Sequence, residues 1–139
     1  MLVVDTSALT AILLGEPEAR ALSECLAEAE TRLMSAANYI ELGTVLEGRG
    51  VVEPAEVSRD VDRILAVAGI EIVPVTADLA RAALNARIRY GKGFKAPAGL
   101  NFGDCFAYAL AKACDAPLLF VGDDFTKTDV LPARNPSAG

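Results

Sequence analysis

The sequence predicts an α/β fold in which a central, mostly parallel sheet of four to five strands is covered by helices on both faces. Two observations lead to this prediction. Short apolar and β-branched runs alternate with longer segments of helical periodicity, and glycine or proline stands at many of the boundaries between them. A chain of 139 residues with 53% hydrophobic content is typical of one globular domain with a substantial core.

The first half of the chain is predicted to contain two buried strands and four helices. Thr6 or Ser7 is expected to cap the first helix, since a hydroxyl oxygen satisfies free backbone N–H groups, and Gly15 is expected to end it. Pro17 and Pro54 are expected to open later helices, because proline suits the first helical turn. The predicted strands are residues 2–4 and 32–35, and the predicted helices are residues 6–14, 17–30, 36–48 and 54–67.

The second half is predicted to add two strands and two helices. The run after Gly69 is β-branched and typical of a strand, and Thr76 and Asn101 are suitable helix caps. We expect residues 1–131 to form the domain and residues 132–139 to be a C-terminal tail. The predicted strands are residues 70–75 and 117–121, the helices 77–90 and 102–114, the loop 91–100 and the turn 122–128, with a short edge strand near residues 130–131.

Acidic residues stand at four points where predicted elements meet, and the chain contains no histidine. Asp5 follows the first strand, Glu41 and Asp104 lie near the starts of helices, and Asp123 with Asp124 follows the last strand. Because ligands of parallel sheets bind beyond the carboxyl ends of the strands, we expect these acids to converge there. Without histidine, carboxylates that hold Mg²⁺ or Mn²⁺ are the usual means of activating water.

Each acid also has a purely structural explanation. Asp5 can end a strand and cap a helix, Asp104 can favour the positive end of a helix dipole, and Asp123 and Asp124 can be turn residues. Glu41 is the hardest to explain in this way, because it lies beside an apolar helix face. The order of the four acids along strands and helices is more specific than any one of them.

The net charge of −6 argues against a protein that coats nucleic acid, but the charge is unevenly distributed. Residues 79–103 contain five basic and no acidic residues, which suits a site that binds cations and a polyanion together. A helix with a solvated basic face is the alternative explanation. The candidate polyanion-binding residues are Arg87, Arg89, Lys92 and Lys95.

The cysteines and the hydropathy indicate a cytoplasmic protein without a membrane segment. Cys25, Cys105 and Cys114 form no Cys-x-x-Cys pair and are expected to be reduced. No apolar run approaches the ~18–20 residues that a spanning helix needs. Other α/β classes fit poorly: no GxxxxGK[ST] loop is present, Ser7 replaces the second acid of an Asp-x-Asp phosphatase, and Pro74 to Thr76 follows the third strand where a receiver domain has its acceptor Asp.

Three motifs occur in order along nearly the whole chain. The first is Val4-Asp5-Thr6-Ser7-Ala8-Leu9, the second is LNFGDCFAYALA from Leu100 to Ala111, and the third is LLFVGDDF from Leu118 to Phe125, followed by Thr128-Asp129. In these motifs the chain resembles the PIN-domain ribonucleases, and specifically the VapC-type toxins of bacterial toxin–antitoxin pairs.

The resemblance implies a PIN-like three-layer α/β/α sandwich and a Mg²⁺-dependent (or Mn²⁺-dependent) endoribonuclease that cleaves single-stranded or looped RNA. It implies a VapB-like antitoxin as a partner, and a homodimer. Tyr90 and Phe94 are then candidates to stack on unpaired bases, or else to pack in the core. The implied catalytic residues are Asp5, Glu41, Asp104 and either Asp123 or Asp124, with Asp5 and Asp104 as metal ligands and Thr6 and Ser7 as hydroxyls that orient a carboxylate or phosphate.

A second class of function stays open from the sequence. A PIN scaffold that binds an antitoxin or RNA without cutting it would carry the same fold. The presence of all four acidic positions favours the enzyme.

Overall fold

The structure is a computed structural model that describes residues 1–93 and 96–134. It contains one sheet of four parallel strands in the order β3-β2-β1-β4, which confirms the predicted α/β class. The strands are β1 Leu2–Val4, β2 Arg32–Ser35, β3 Ile70–Val73 and β4 Leu118–Leu119. The helices are α1 Thr6–Leu13, α2 Ala19–Glu28, α3 Ala36–Gly48, α4 Val57–Ala68, α5 Ala77–Tyr90 and α6 Phe102–Ala113.

The strand residues alternate between two separate cores, and this produces the three layers. Leu2, Val4 and Met34 face a core completed by α1, α2, α3 and α4. Val3 and Leu33 face the opposite side, where α5 and α6 cover the sheet. Because β1 is buried on both faces, it is a short continuous apolar run rather than an alternating one, and Leu33 and Met34 of β2 are both apolar for the same reason.

Several element boundaries differ from the predicted ones. Pro17 precedes α2 by two residues instead of opening it, and Pro54 opens a short 3₁₀ turn, Pro54–Glu56, before α4 begins. Strand β3 ends at Val73, because Pro74 cannot donate to a strand ladder. Strand β4 is two residues long and pairs with Pro132 through an isolated bridge, so chain pairing reaches the first residue of the predicted tail.

Two of the predicted helix caps are present and one is wrong. Thr76 caps α5 by accepting from the N–H of Leu79, and Asn101 caps α6. Helix α1 is capped by Asp5, whose carboxylate accepts from the N–H of Ser7, and not by the hydroxyl of Thr6 or Ser7. The cap of α1 is therefore an acid of the candidate site.

Arg32 at the start of β2 holds the ends of two helices together. Its Nε and Nη2 donate to the carbonyls of Leu26 and Ala27 near the end of α2, and its Nη1 donates to the carbonyl of Ala68 at the end of α4 (2.9 Å). A cation at two helix C-termini is favourable because of the helix dipoles. None of the described helices is both long enough and apolar enough to cross a membrane.

Candidate active site

A cleft of about 290 Å³ opens at the carboxyl end of β1 and collects acids from distant parts of the chain. Asp5, Glu41, Asp104 and Asp124 all line it, so one member of each predicted acidic position is present. The remaining lining residues are Thr6, Ser7, Thr10, Glu16, Val45, Asn101, Val121 and Phe125. Parallel strands with helical crossovers bring their carboxyl ends to one edge, which explains this convergence.

Asp5 is buried directly after β1, with 3% of its surface exposed. Its Oδ2 accepts from the backbone N–H (3.0 Å) and the hydroxyl (2.6 Å) of Ser7. Its Oδ1 is buried and has no hydrogen-bond partner in the described structure. Burial raises the pKa of Asp5 to about 6, with a smaller contribution from the charge of Glu41, although the Ser7 hydrogen bonds act in the opposite direction.

Asp104 lies in the first turn of α6 and belongs to a capping box with Asn101. The Asn101 side chain accepts from the N–H of Asp104 (2.9 Å), and Oδ2 of Asp104 accepts from the N–H of Asn101 (3.0 Å). Burial, together with the negative charges of Asp5, Asp124 and Glu41, raises the pKa of Asp104 to about 7, although the Asn101 hydrogen bond acts in the opposite direction. Such a group carries a proton for part of the time at neutral pH.

Glu41 reaches the cleft from the second turn of α3. Its Oε1 accepts from the side-chain amide of Asn38 (3.3 Å), which also donates to the carbonyl of Gly103 in α6 (3.0 Å). Helices α3 and α6 are thus joined beside the acids. Thr6, from the α1 side, donates its hydroxyl to the carbonyl of Asn38 (3.2 Å).

Of the two neighbouring acids after β4, Asp123 and Asp124, only one lines the cleft. Asp124 lines the cleft and contributes to the raised pKa of Asp104. Asp123 is exposed outside the cleft, and its carbonyl accepts from the N–H (3.1 Å) and hydroxyl (2.7 Å) of Thr126, as in an ordinary turn. Of the two candidates that the sequence left open, the structure brings Asp124 to the other acids.

The segment that carries Asp124 is fixed at both ends. Phe125 is buried against Phe120, with ring centroids 5.0 Å apart. Further along, Asp129 accepts from the hydroxyl of Tyr108 and forms an ion pair with Lys112 (3.2 Å). The hydrogen bond from Tyr108 and the contact with Lys112 lower the pKa of Asp129. Burial, and after it the hydrogen bond to Asp129, raises the pKa of Tyr108.

Among the cleft residues that the sequence analysis did not single out are two polar ones. Thr10 and Glu16 line the same cleft from α1 and from the turn that follows it. Gly15, with φ of 65°, reverses the chain there, and the N–H of Glu16 bonds back to the carbonyl of Ala11 (2.9 Å). An acid directly after a helix-ending glycine, one short helix beyond Asp5, is the signal that would have identified Glu16.

The predicted basic tract lies along the end of α5 and the loop that follows. Arg89 is exposed with its guanidinium 4.7 Å from the centre of the Tyr90 ring, and Lys92 is exposed in the loop. Burial raises the pKa of the Cys105 thiol, and the positive charge of the half-buried Arg87 offsets part of this shift. Tyr90 is buried edge-on against Tyr108, which agrees with the core explanation. Lys95 and Phe94, the other predicted contacts, lie outside the described residues.

The donor set of the cleft suits a hard divalent cation. The unpartnered Oδ1 of Asp5 is a buried acceptor whose desolvation a cation would offset. Over residues 1–93 and 96–134, no group of three acidic, cysteine or histidine side chains is arranged to coordinate one ion. Mg²⁺ commonly uses one or two carboxylates and keeps several waters, so Asp5 and Asp104 are compatible with it.

Comparison with known proteins identifies the family of this fold. Residues 2–131 match the PIN domain family. Ribonuclease VapC42 of Mycobacterium tuberculosis is 48% identical over 132 residues, which cover 95% of this chain and 98% of that protein. Ribonuclease VapC of Mycolicibacterium smegmatis is 50% identical over 129 residues, covering 93% and 97%.

A solved structure has the same fold at much lower identity. The crystal structure of Mycobacterium tuberculosis VapC20, described as a sarcin-ricin loop cleaving toxin, superposes with a TM-score of 0.75 at 19% identity, covering 97% of this chain and 100% of that one. The chain therefore belongs to the PIN-domain family. The expectation of a VapC-type ribonuclease, with the PIN-like sandwich that it implies, is confirmed.

We expect the metal-free protein to become more stable as the pH is lowered from 8 to 5. In the folded state the pKa of Asp104 is about 7 and that of Asp5 about 6, against an ordinary value of 3.8. At pH values between 3.8 and these raised pKa values, the folded chain binds protons that the unfolded chain does not. The free energy of unfolding therefore falls as the pH rises. Thermal unfolding in EDTA across this range measures the effect.

Asp104→Asn removes the largest of these shifts and should raise the melting temperature at pH 8 while flattening its pH dependence. Asp129 does not contribute to the pH dependence in this range, because its pKa is lowered from the ordinary value of 3.8. A wild-type melting temperature that rises steadily from pH 5 to pH 8 would contradict the raised pKa values.

Proposed function

We propose that the acidic cleft hydrolyses phosphodiester bonds of single-stranded or looped RNA with the help of Mg²⁺ or Mn²⁺, as a toxin that a cognate antitoxin neutralises. One observation carries the proposal. Asp5 and Asp104 are buried in the same cleft with raised pKa values, and one oxygen of Asp5 has no partner. Buried carboxylates kept in this state are costly for the fold, and such groups are concentrated at functional sites.

Ribonucleases of this family generally depend on a divalent metal. Asp5 and Asp104 would hold the ion, with Glu41 and Asp124 binding its waters or a second ion. A bound divalent cation lowers the pKa of water and neutralises charge on a phosphate oxygen. The acids would thereby replace the histidine that this chain lacks.

The chain's own residues would orient the reacting groups. Ser7 donates two hydrogen bonds to Oδ2 of Asp5, while Oδ1 has no donor in the described structure. The hydroxyl of Ser7 also accepts from the N–H of Val121 (3.0 Å), so it links the first acid to the segment that leads to Asp124. The backbone N–H of Asn101 fixes one oxygen of Asp104 in the same manner.

Asp5→Asn and Asp104→Asn should each reduce RNA cleavage by more than about 100-fold, since loss of even an outer partner of a metal site costs about 10–100-fold. Asp124→Asn should also reduce it. The matched control is Asp123→Asn, a neighbouring exposed acid that does not line the cleft and should keep the wild-type rate. Cleavage of total RNA with mapping of the ends, in Mg²⁺ and in EDTA, measures all four.

Two results would refute the enzyme. Undiminished cleavage in EDTA would exclude a metal-dependent site. RNA or antitoxin binding without cleavage at any Mg²⁺ or Mn²⁺ concentration would instead favour the scaffold that only binds.

An RNA substrate implies a cytoplasmic location for the proposed enzyme, where the three free cysteines stay reduced.

The basic tract would guide the RNA backbone toward the acids. Arg87, Arg89, Lys92 and Lys95 precede in sequence the helix that carries Asp104, and a polyanionic substrate requires positive charge to offset the negative charge of the acids. Arg89 is exposed on the ring of Tyr90, which limits the freedom of its side chain.

Replacing Arg89 and Lys92 together by alanine should weaken RNA binding and reduce the slope of log affinity against log salt by about one to two units. The control replaces Arg20 and Arg63, two exposed arginines on α2 and α4, and removes the same charge from the opposite layer. Salt titrations of RNA binding compare the two double variants. Equal slopes for both would show that the tract does not contact phosphates.

An apolar groove between α1, α2 and α4 suits the antitoxin. A solved toxin–antitoxin complex from Klebsiella pneumoniae has the same fold, with a TM-score of 0.69 at 18% identity. The groove measures about 480 Å³, and Leu13 and Val67 on its walls are exposed. We infer that an amphipathic segment of the antitoxin packs here and that an arginine of the same partner reaches the carboxylates. The other walls are Leu9, Ile12, Ser23, Leu26, Ala27, Arg32, Ile64 and Ala68.

Leu13→Glu combined with Val67→Glu should keep the toxin active and prevent its neutralisation. Expression of the wild-type chain should arrest bacterial growth, and co-expression of the antitoxin should restore it, whereas the double variant should arrest growth in both cases. Val51→Glu, an exposed apolar residue outside the groove, is the control. Full rescue of the double variant would place the antitoxin elsewhere.

A homodimer is the other partner that we propose. Ile40 and Phe102 are large apolar side chains with 67% and 69% of their surfaces exposed, and they line a shallow site of about 410 Å³ with Ala37 and Phe106. Exposed apolar surface of this kind is typical of protein interfaces.

Sedimentation should give a dimer for the wild type and a monomer for Phe102→Glu. A wild-type monomer would refute the proposed homodimer.

A further inference from the structure

The side chain of Asn38 is completely buried where three acid-bearing parts of the chain meet. Its accessible fraction is 0%, although it is polar. Both contacts of its amide nitrogen point toward the site: one to Oε1 of Glu41 (3.3 Å) and one to the carbonyl of Gly103 (3.0 Å). Its backbone carbonyl accepts from the hydroxyl of Thr6 (3.2 Å), next to the first acid.

Gly103 has a second, independent relation to Glu41. A β-carbon on residue 103 would lie 2.0 Å from Oε2 and 2.6 Å from Cδ of Glu41, which is closer than real contacts allow. The glutamate carboxylate therefore fills the space that any other side chain at this position needs. By contrast, a β-carbon on Gly48, at the C-terminal end of α3, would have nothing within 4 Å.

These contacts act on a flexible side chain. Glutamate has three rotatable side-chain bonds, and ordering them costs conformational entropy. A donated hydrogen bond to one carboxylate oxygen, with the other oxygen against the backbone of α6, selects one orientation from many. The buried Oδ1 of Asn38 has no hydrogen-bond partner in the described structure, so only the donor half of this amide is used.

We propose that Asn38 and Gly103 are positioning residues that hold the Glu41 carboxylate against the first turn of α6, beside Asp104. The inference rests on the proposed function, because Glu41 is useful in this orientation only if the cleft binds a cation and a phosphodiester. Asn38 itself does not line the cleft and acts through Glu41.

Asn38→Ala and Gly103→Ala are the test variants. Each should lower kcat for RNA cleavage by about 10–100-fold with KM changed by less than about twofold, the size of effect expected for an outer partner of a metal site. Each should also weaken binding of Mn²⁺ alone, measured by titration calorimetry without RNA. In a Glu41→Ala background, single-turnover rates should show no further loss when either substitution is added, because the residue through which they act is gone.

Two controls separate positioning from general destabilisation. Ser35→Ala removes the cap of α3, which accepts from the N–H of Ala37 (3.2 Å), and loosens the helix without touching Glu41. Gly48→Ala adds a methyl group to the same helix in open space. Both should keep the wild-type kcat and Mn²⁺ affinity. If Asn38→Ala does not fold, Gly103→Ala carries the test alone.

The proposal is overturned if a folded Asn38→Ala or Gly103→Ala protein keeps the wild-type kcat and Mn²⁺ affinity. It is also overturned if the losses are additive with Glu41→Ala, because both residues would then act independently of the glutamate. A wild-type protein that binds Mn²⁺ but does not cleave RNA would refute the proposed function, and the Mn²⁺ affinities of the variants would still decide the positioning roles.

Discussion

Two carboxylates buried at one edge of a small parallel sheet determine how the surrounding structure is built. Burial raises the pKa of Asp5 to about 6 and that of Asp104 to about 7, and the charge of Asp5 adds to the second shift. Removing a charged group from water is expensive unless something compensates it. The fold compensates only in part, since Oδ1 of Asp5 is left without a donor. The remaining cost is what a bound cation would relieve.

The partial compensation comes from local structure that also forms the fold. Asp5 caps α1, and Asp104 belongs to the capping box of α6, so each acid stabilises the helix that it begins. Ser7 and Asn101 occupy one oxygen of each carboxylate. The structural explanation of these two acids is therefore correct, and it is compatible with the functional one that we propose.

The sequence predicts the layers well because they depend on local patterns. Helices α3 and α5 have the predicted bounds, since Ser35 and Thr76 are strong caps. Strand β2 also has its predicted bounds, because it ends at Ser35, where α3 begins. The direction of a side chain in a turn depends on the surrounding fold and not only on the neighbouring residues. Asp123 and Asp124 could therefore not be distinguished from the sequence. Glu16 was missed because its approach to the cleft depends on the reversal at Gly15.

The central claim, that the buried acids hold a proton until a cation replaces it, is tested most directly by counting protons released on Mg²⁺ binding at pH 6.5. Titration calorimetry in two buffers of different ionisation enthalpy gives this number without any RNA. We expect release of about one proton per bound ion, reduced strongly in Asp104→Asn, because the pKa of Asp104 is about 7. Binding of Mg²⁺ with no proton release, or no binding at all, would contradict the account.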